Sequence, residues 1–425
     1  MSDITDARTG ALTGPWDELH LWWLGRPHSP FPIGVLRFVP SMRGASLRYH
    51  EDWLKRGFAL SEDLPLLDQV FLPSSKDTAA GAVDDARPDR WGERVIRLLD
   101  RPARLSIMEH LFLAGDERLG ALGVSLSGQV YLPRAQGPLP AFADAQALHD
   151  VVRQVEAGTP IRDELKRLIA PGVTMGGARP KALIQMDGHP WVIKFADAGE
   201  LLDEPLIEHA TMTLAARAGI NVAPTRAIAL TKGHAVAVRR FDRLPSPDGL
   251  LRLHALSAHV ALRAAGEEMG YPELAQLLRR RGPLRDGINQ AQMHELFRRM
   301  VFNILIDNTD DHEKNHVLLM NERCEYELSP AFDVLPTGQA LGYQQMRVGR
   351  DGAVSSIDNA LSDAALFGLS AHQARDAVRR VAAVVDGWRA HFKACGVRDA
   401  DVEMLAGQVD REGLVRQRKV ARSDR

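Results

Sequence analysis

The chain has 425 residues, of which 45% are hydrophobic and 25% charged, so it can bury a sizeable core and is typical of a globular protein. Its 53 basic and 55 acidic residues give a formal net charge of −2, which excludes an overall electrostatic footprint for nucleic acid but leaves a local patch open. Cys324 and Cys395 are too few for a disulfide framework or a thiolate metal site. No apolar run approaches the ~20 residues that span a bilayer. The polar N-terminus is unlike a signal peptide, so we expect a cytoplasmic protein without membrane contact.

The first part of the chain is predicted to form a disordered tail over residues 1–14 and a subdomain over 15–140. Short apolar runs between Leu19 and Val39, interrupted by Gly and Pro, predict β-structure joined by turns. The segments PDRWGERVIRLLD and LSIMEHLFLAG have the apolar spacing of two helices. The composition becomes helical again after Gln136-Gly137-Pro138, which places the first boundary there.

Residues 141–245 are predicted to form a β-rich lobe. The segment GGARPKALIQMDGHPWVIKF indicates a hairpin that turns at Asp187-Gly188 and has a glycine pair at its entrance. DEPLIEHATMTLAARAG indicates a helix with Pro205 in its first turn and Gly219 just past its end. Strands are predicted around VAPTRAIAL and HAVAVRRF.

Residues 246–415 are predicted to form a mainly helical lobe. Its most strongly patterned helix contains Met293, Leu296 and Met300 and ends at Asp307. The two lobes predict an α+β, bilobal fold that binds a ligand in the cleft between them. The basic segment RQRKVARSDR, 416–425, is expected to be a disordered, solvated tail, with contact to DNA phosphate as the alternative.

The stretch DNTDDHEKNHVLLM, 307–320, contains the letters H-E-x-x-H of zinc peptidases at His312–His316. That chemistry needs both histidines on one face of a continuing helix, whereas the preceding DNTDD has turn chemistry and the following VLLM has no amphipathic face. A solvated polar turn between a helix and a strand is the ordinary alternative. The zinc interpretation is therefore disfavoured.

A third interpretation comes from residues outside this stretch. Phosphoryl transfer needs a glycine-rich segment near the phosphates, a strand lysine held by a helix glutamate, an Asp that orients the acceptor, and an Asn and a second Asp that bind metal. Each residue alone has a structural explanation, but together they indicate a kinase-type site. The candidates for these parts occur along the chain in the order that a kinase requires: Gly176-Gly177, Lys194, Glu208, Asp310, Asn315 and Asp333.

The sequence resembles the HipA-type serine/threonine kinases, which are toxins of bacterial toxin–antitoxin modules. The resemblance covers most of the chain, because DRWG and GDERLGAL in the first 140 residues are similar to the family's N-terminal subdomain. The motifs that carry it in the remaining chain are TMGGARPKA, VIKF, VRRFDR, HALSAH, NTDDHEKNH and LSPAFDVLPT.

The resemblance implies an ATP and Mg²⁺ site. It makes Asp310 the proton acceptor, Lys194 the phosphate-contacting lysine, and Asn315 and Asp333 the metal ligands. His312, His254 and His259 are better explained as scaffold than as ligands. The other nucleotide-site positions that the resemblance implies are the loop Gly176, Gly177, Ala178, Arg179, Pro180 and Lys181, the hinge Arg239, Arg240 and Phe241, the ribose contact Asp242, and Glu208, His312, Glu313, Lys314 and Phe332.

Thr174 has two open interpretations. In the resembled family a hydroxyl residue in the glycine-rich segment can be autophosphorylated, which switches the kinase off. A phosphate there would add negative charge beside the triphosphate site and so oppose closing of the loop. The alternative is that Thr174 only caps the turn.

The resemblance implies a growth-inhibiting protein kinase whose target is a translation component such as an aminoacyl-tRNA synthetase. It also implies a small helix-turn-helix antitoxin as partner, and operator DNA reached through that antitoxin. Two alternatives stay open. One is a DNA-bound co-repressor with a structural nucleotide site, and the other is a kinase of the same fold that acts on a small molecule or lipid.

Overall fold

The structure is a computed structural model, and its N-terminal subdomain is built on an antiparallel sheet. It describes residues 14–423 except 135–136, 163–164, 166–167, 170–171, 173–176, 248 and 338, so the tail predicted over 1–14 lies almost wholly outside the described residues. The five-stranded sheet has the order β4-β3-β2-β1-β5, as the apolar runs predict. The elements are β1 Glu18–Trp23, β2 Phe31–Val39, β3 Gly44–Tyr49, α1 Glu51–Arg56, β4 Val70–Phe71, a 3-10 turn Gly81–Ala86, α2 Arg90–Leu99, α3 Ile107–Leu113 and β5 Leu122–Ser125.

The second of these helices packs against the following lobe. Trp91 and Val95 of α2 are buried in one apolar cluster with residues of the helix at 145–157 and of the hairpin at 181–195. The subdomain before residue 140 therefore shares a core with the lobe after it. This contact brings the start of α2 next to the glycine-rich segment.

The β-rich lobe contains an antiparallel sheet of order β6-β7-β9-β8, covered by a helix. The hairpin turns where predicted, because Asp187 and Gly188 both have positive φ, 51° and 74°, as a tight two-residue turn requires. The predicted helix with Pro205 in its first turn is also present. The elements are α4 Ala145–Ala157, β6 Lys181–Met186, β7 His189–Phe195, α5 Glu204–Arg217, β8 Thr225–Ala229 and β9 His234–Arg239.

The second lobe is mainly helical and also contains a hairpin and a three-stranded sheet of order β12-β13-β14. The patterned helix ends at Ile306, as predicted, and is capped by Asp307 in the left-handed conformation. The elements are β10 Arg243–Ser246, β11 Gly249–Arg252, β12 His254–Ser257, α6 Ala258–Ala265, α7 Tyr271–Arg281, α8 Ile288–Ile306, β13 Val317–Met320, β14 Tyr326–Leu328, α9 Ile357–Ser362, α10 Ala371–Val385, α11 Trp388–Ala394, α12 Asp399–Val409 and α13 Glu412–Ser423.

The prediction of a disordered basic tail from residue 416 is wrong for the part that the structure describes. Residues 412–423 form α13, which packs against α10 and α8. Arg418 is buried, and its guanidinium lies 2.9 Å from Asp386 and 2.7 Å from Asp410. Both carboxylates lie outside the basic segment, so the composition of the segment gives no sign that they neutralise this arginine.

Among the described residues, every helix is too short or too polar to cross a bilayer.

Candidate active site

Lys194 lies at the centre of the site. It belongs to β7, whose residues from Pro190 to Phe195 are all buried, and only 2% of its surface is exposed. Its Nζ lies 2.7 Å from Oε1 of Glu208 on α5 and 2.5 Å from Oδ1 of Asp333 in the other lobe. Burial lowers the pKa of Lys194, but the two carboxylates outweigh it and raise the pKa overall. The lysine is therefore a fixed cation between the two lobes.

Asp333 follows β14 in a left-handed conformation, with φ of 61°. This backbone conformation is uncommon for a residue other than glycine and is often found at functional sites. Burial raises the pKa of Asp333, but Lys194 and, more weakly, Arg179 and Lys181 lower it below its usual value. Burial instead dominates at Glu208, whose pKa is raised. Asp333 is thus the anionic partner of a cationic cluster.

The loop that follows α8 contains Asp310 and Asn315. Asp310 is exposed, whereas Asn315 is 5% exposed and ends a 3-10 turn over Glu313–Asn315. Partial burial raises the pKa of Asp310, and the charge of Asp333 raises it further. The acid and the amide are therefore displayed by one loop that faces the Lys194 cluster.

Buried polar contacts hold this loop in place. Asp311 accepts hydrogen bonds from the hydroxyl of Tyr271 and from Nε2 of His316, the latter at 2.8 Å. Glu313 lies 2.8 Å from His259, and this hydrogen bond is the main cause that lowers the pKa of Glu313 to about 2. His259 thus acts as scaffold, as expected.

The geometry does not fit the zinc interpretation of this loop. His312 and His316 do not share a helical face, because only a short 3-10 turn lies between them. His316 is buried, and its Nε2 bonds to Asp311. Among the described residues no cluster of His, Cys, Asp or Glu has metal-binding geometry. H-E-x-x-H is here a turn whose second histidine supports the loop.

Asn315 and Asp333 are the residues that fit a magnesium ion. Their amide and carboxylate oxygens are the hard ligands that Mg²⁺ prefers. Asn315 and Phe332 line one narrow cavity between the loop and the segment that leads to Asp333.

Only part of the glycine-rich segment can be placed. Thr174 and Gly176 lie outside the described residues, so both predictions about them stay predictions. Gly177, with φ of +66°, and Ala178 form a turn, and a Cβ at Gly177 would meet no neighbour within 4 Å. The carbonyl of Pro180 accepts the Phe195 amide at 3.0 Å, which fixes the end of the segment beside β7.

The two basic residues of this segment have acidic partners. Arg179 pairs with Glu204 and lies 3.8 Å from Glu200. The Lys181 side chain is fully buried, and its Nζ lies 2.5 Å from Asp89 in the N-terminal subdomain. Asp89 was absent from the residues that the sequence marked for the site. Its position in DRWG is the signal that could have pointed to it.

The hinge residues separate into two groups. The ring of Phe241 contacts that of Phe332, with centroids 5.4 Å apart, and the Arg239 guanidinium bonds to His189. Arg240 and Asp242 are instead buried, and Asp242 accepts hydrogen bonds from Arg240, from Arg243 at 2.6 Å and from the Gly120 amide at 2.7 Å.

These contacts contradict the prediction that Asp242 contacts the ribose of the nucleotide. Its carboxylate is fully buried and faces the 115–120 loop of the N-terminal subdomain. The adjacent arginines lower its pKa well below the usual range. Asp242 is therefore a structural counterion of the subdomain contact. His254 is likewise buried, and its Nε2 bonds to the Leu60 carbonyl at 2.8 Å.

Comparison with known proteins places the chain in a family. A model of the HipA-like C-terminal domain matches residues 173–388, half of the chain, and a model of the HipA N-terminal domain matches residues 30–125. The chain belongs to the HipA family. The two matched ranges correspond to the N-terminal subdomain and to the two lobes that meet at Lys194, so the expected family is confirmed.

Two relatives extend this result. The HipA-family chain is 29% identical over 164 residues to a putative kinase, Y4dM, of Sinorhizobium fredii (strain NBRC 101917 / NGR234), a match that covers 35% of the chain and 38% of the relative. It also superposes on a chain of the Shewanella oneidensis MR-1 toxin–antitoxin complex of HipA, HipB and operator DNA, with a TM-score of 0.64 and 19% identity over 95% of this chain and 97% of the other. The predicted α+β, bilobal, kinase-like fold is confirmed.

Proposed function

We propose that this HipA-family chain is an ATP-dependent serine/threonine protein kinase that acts in the cytoplasm. The observation that carries the proposal is the ammonium of Lys194, which is held between Glu208 and Asp333 at 2.7 and 2.5 Å. A strand lysine fixed by a helix glutamate beside a metal-binding aspartate is the arrangement on which phosphoryl transfer depends. The family and the kinase-like relative support the same activity.

Asp310 orients the acceptor in this proposal. The acceptor hydroxyl donates its proton to the Asp310 carboxylate as its oxygen bonds to the terminal phosphorus. The bond from that phosphorus to the leaving diphosphate breaks, and the electron pair stays on the diphosphate. The exposure of Asp310 suits this role, because a protein substrate must reach it from outside the cleft.

The other residues of the proposed site bind the phosphates, the metal ion and the base. Lys194 neutralises phosphate charge, and the segment from Gly177 to Lys181 contacts the phosphates. Asn315 and Asp333 hold Mg²⁺, which neutralises charge on the phosphate oxygens when bound. The backbone of residues 239–241 and the rings of Phe241 and Phe332 form the base side of the cleft.

The biological setting is part of the proposal. The chain acts as a growth-inhibiting toxin that phosphorylates a translation component such as an aminoacyl-tRNA synthetase, and modification of Thr174 switches it off. A small helix-turn-helix antitoxin binds it and carries it to operator DNA. The support for this partnership is the shared fold with the Shewanella HipA chain, which is found with HipB and operator DNA.

Brief induction of the wild-type chain and of Asp310→Asn, followed by phosphoproteomics, tests the proposal. Asp310 is exposed, so the variant should fold normally. Asp187→Asn, in the exposed hairpin turn, is the matched control. We expect growth arrest and new phosphoserine or phosphothreonine sites with the wild type and the control only. Arrest by the Asp310→Asn variant without new phosphosites would favour a non-catalytic co-repressor.

A further inference from the structure

The DRWG motif of the N-terminal subdomain reaches the glycine-rich segment. Asp89 caps α2, because its Oδ1 accepts a hydrogen bond from the Gly92 amide at 2.9 Å. Its other oxygen, Oδ2, lies 2.5 Å from Nζ of Lys181. The indole of Trp91 donates to the Lys181 carbonyl at 2.8 Å. One short motif therefore holds both the backbone and the side chain of Lys181.

Lys181 joins three parts of the molecule. Its side chain is fully buried, and its ammonium also donates to the carbonyl of Gly177 in the glycine-rich turn. Its charge lowers the pKa of Asp333, so it faces the same site as Lys194. A movement of Asp89 would therefore displace both a cation of the site and the turn that Gly177 forms.

Strand register explains why Lys181 needs an anion. Lys181 on β6 is the direct partner of Lys194 on β7 in the antiparallel pair, so both side chains lie on one face of the sheet. Like charges opposite one another repel, and a buried ammonium is costly without a counterion. Lys194 has Glu208 and Asp333, whereas Lys181 has Asp89.

We propose that Asp89 is a positioning residue of the kinase site: it holds the Lys181 ammonium and, through it, the Gly177 turn in the geometry that receives the nucleotide phosphates. This inference rests on the proposed kinase function. It makes the N-terminal subdomain a component of the nucleotide site, although the subdomain contributes none of the reacting groups.

Two substitutions separate the charge of Asp89 from its cap. Asp89→Asn keeps a good helix cap but removes the charge, and Asp89→Glu keeps the charge but is a poorer cap. Asp68→Asn is a matched control, since it removes an exposed ion pair with Arg48 in the same subdomain. Nucleotide binding is measured with ATP and Mg²⁺ on the full chain, together with KM for ATP, kcat and thermal unfolding.

We expect Asp89→Asn to raise the dissociation constant and KM for ATP about tenfold, the cost of losing a charge-assisted hydrogen bond, with a smaller change in kcat. Asp89→Glu should recover most of the affinity, and Asp68→Asn should bind as the wild type does.

Three results would overturn the proposal. Wild-type nucleotide affinity in the Asp89→Asn variant would show that only the cap matters. Equal losses in both Asp89 variants, with equal losses in thermal stability, would assign Asp89 a purely structural role. An altered kcat with an unchanged KM would also contradict it. A wild-type chain that binds no nucleotide would instead refute the proposed kinase function, so the two failures are distinguishable.

Discussion

Lys194 and Asp333 form an ion pair of 2.5 Å across the cleft, one from the β-rich lobe and the other from the helical lobe. Glu208 completes the contact from the side of the β-rich lobe, at 2.7 Å from the same nitrogen. The three side chains link the two lobes at the proposed nucleotide site. These ion pairs therefore stabilise the contact between the lobes and lie at the centre of the candidate site.

Replacing Lys194 by Met should reduce stability as well as activity. The buried carboxylates of Glu208 and Asp333 would lose their common cation, and removal of one partner from a buried ion pair costs about 3 kcal/mol. Phosphoryl transfer should fall about 100-fold or more. Urea unfolding and kinase assays test this, with Lys232→Met in an exposed loop as the control. A Lys194→Met variant as stable as the wild type would contradict the central role of this ion pair.

The activity should show an acid limb set by Asp310. Partial burial and the charge of Asp333 raise the pKa of Asp310, and the residue must be ionised to accept a proton. Activity should therefore be lost, as pH falls, at a higher pH than an ordinary aspartate would give. The positive charge of His312 lowers this pKa, so His312→Gln should move the limb to still higher pH. A pH profile of kcat/KM measures both shifts, and an unmoved limb in the variant would contradict the assignment.

Asp242→Asn should destabilise the fold without a specific effect on nucleotide binding. Arg240 and Arg243 are buried, and both would lose the carboxylate nearest to them at the contact with the N-terminal subdomain. Glu117, at 3.2 and 3.9 Å from the two guanidinium groups, would be left to neutralise both charges. We expect a loss of about 3 kcal/mol in the free energy of unfolding. Denaturant unfolding and ATP titration of the folded fraction measure the two effects. Normal stability with weakened ATP affinity would restore the ribose role.

Acid should weaken the subdomain contact through His254. Burial lowers the pKa of His254 from 6.5 to about 4 in the folded protein. Between these two pKa values the unfolded chain binds the proton more readily than the folded protein does. The contribution of His254 to stability is therefore fully present above pH 6.5 and is lost as the pH falls from 6.5 toward 4. The loss attributable to this group is up to about 3 kcal/mol. His254→Gln, which cannot take up the proton, should flatten this part of the stability profile. A stability profile of His254→Gln as steep as that of the wild type between pH 6.5 and 4 would contradict this assignment to His254.

The sequence predicted the elements with strong local signals. The hairpin at Asp187-Gly188, the helix with Pro205 and the helix that ends before Asp307 all lie where expected. The order of Lys194, Glu208 and Asp333 along the chain also led to a cluster that the structure brings together. Turn residues, helix caps and the order of motifs can all be recognised directly in the sequence, so these features are predictable.

Long-range pairing was not predictable in the same way. Asp242 contacts Gly120 and Lys181 contacts Asp89 across large distances in sequence, and no local pattern shows which residues pair. The basic C-terminal segment looked solvated, yet Arg418 is buried against acids of other helices. Charge pairing is decided by tertiary packing, so composition alone assigns such residues to the surface.

Calorimetric titration of ATP with and without Mg²⁺ on the wild type and Asp333→Asn tests the central claim most directly. The account predicts that Mg²⁺ strengthens ATP binding to the wild-type chain and that Asp333→Asn abolishes this dependence while Asp187→Asn retains it. Equal magnesium dependence in the wild type and Asp333→Asn would contradict the claim that Lys194 and Asp333 form the centre of a nucleotide–metal site.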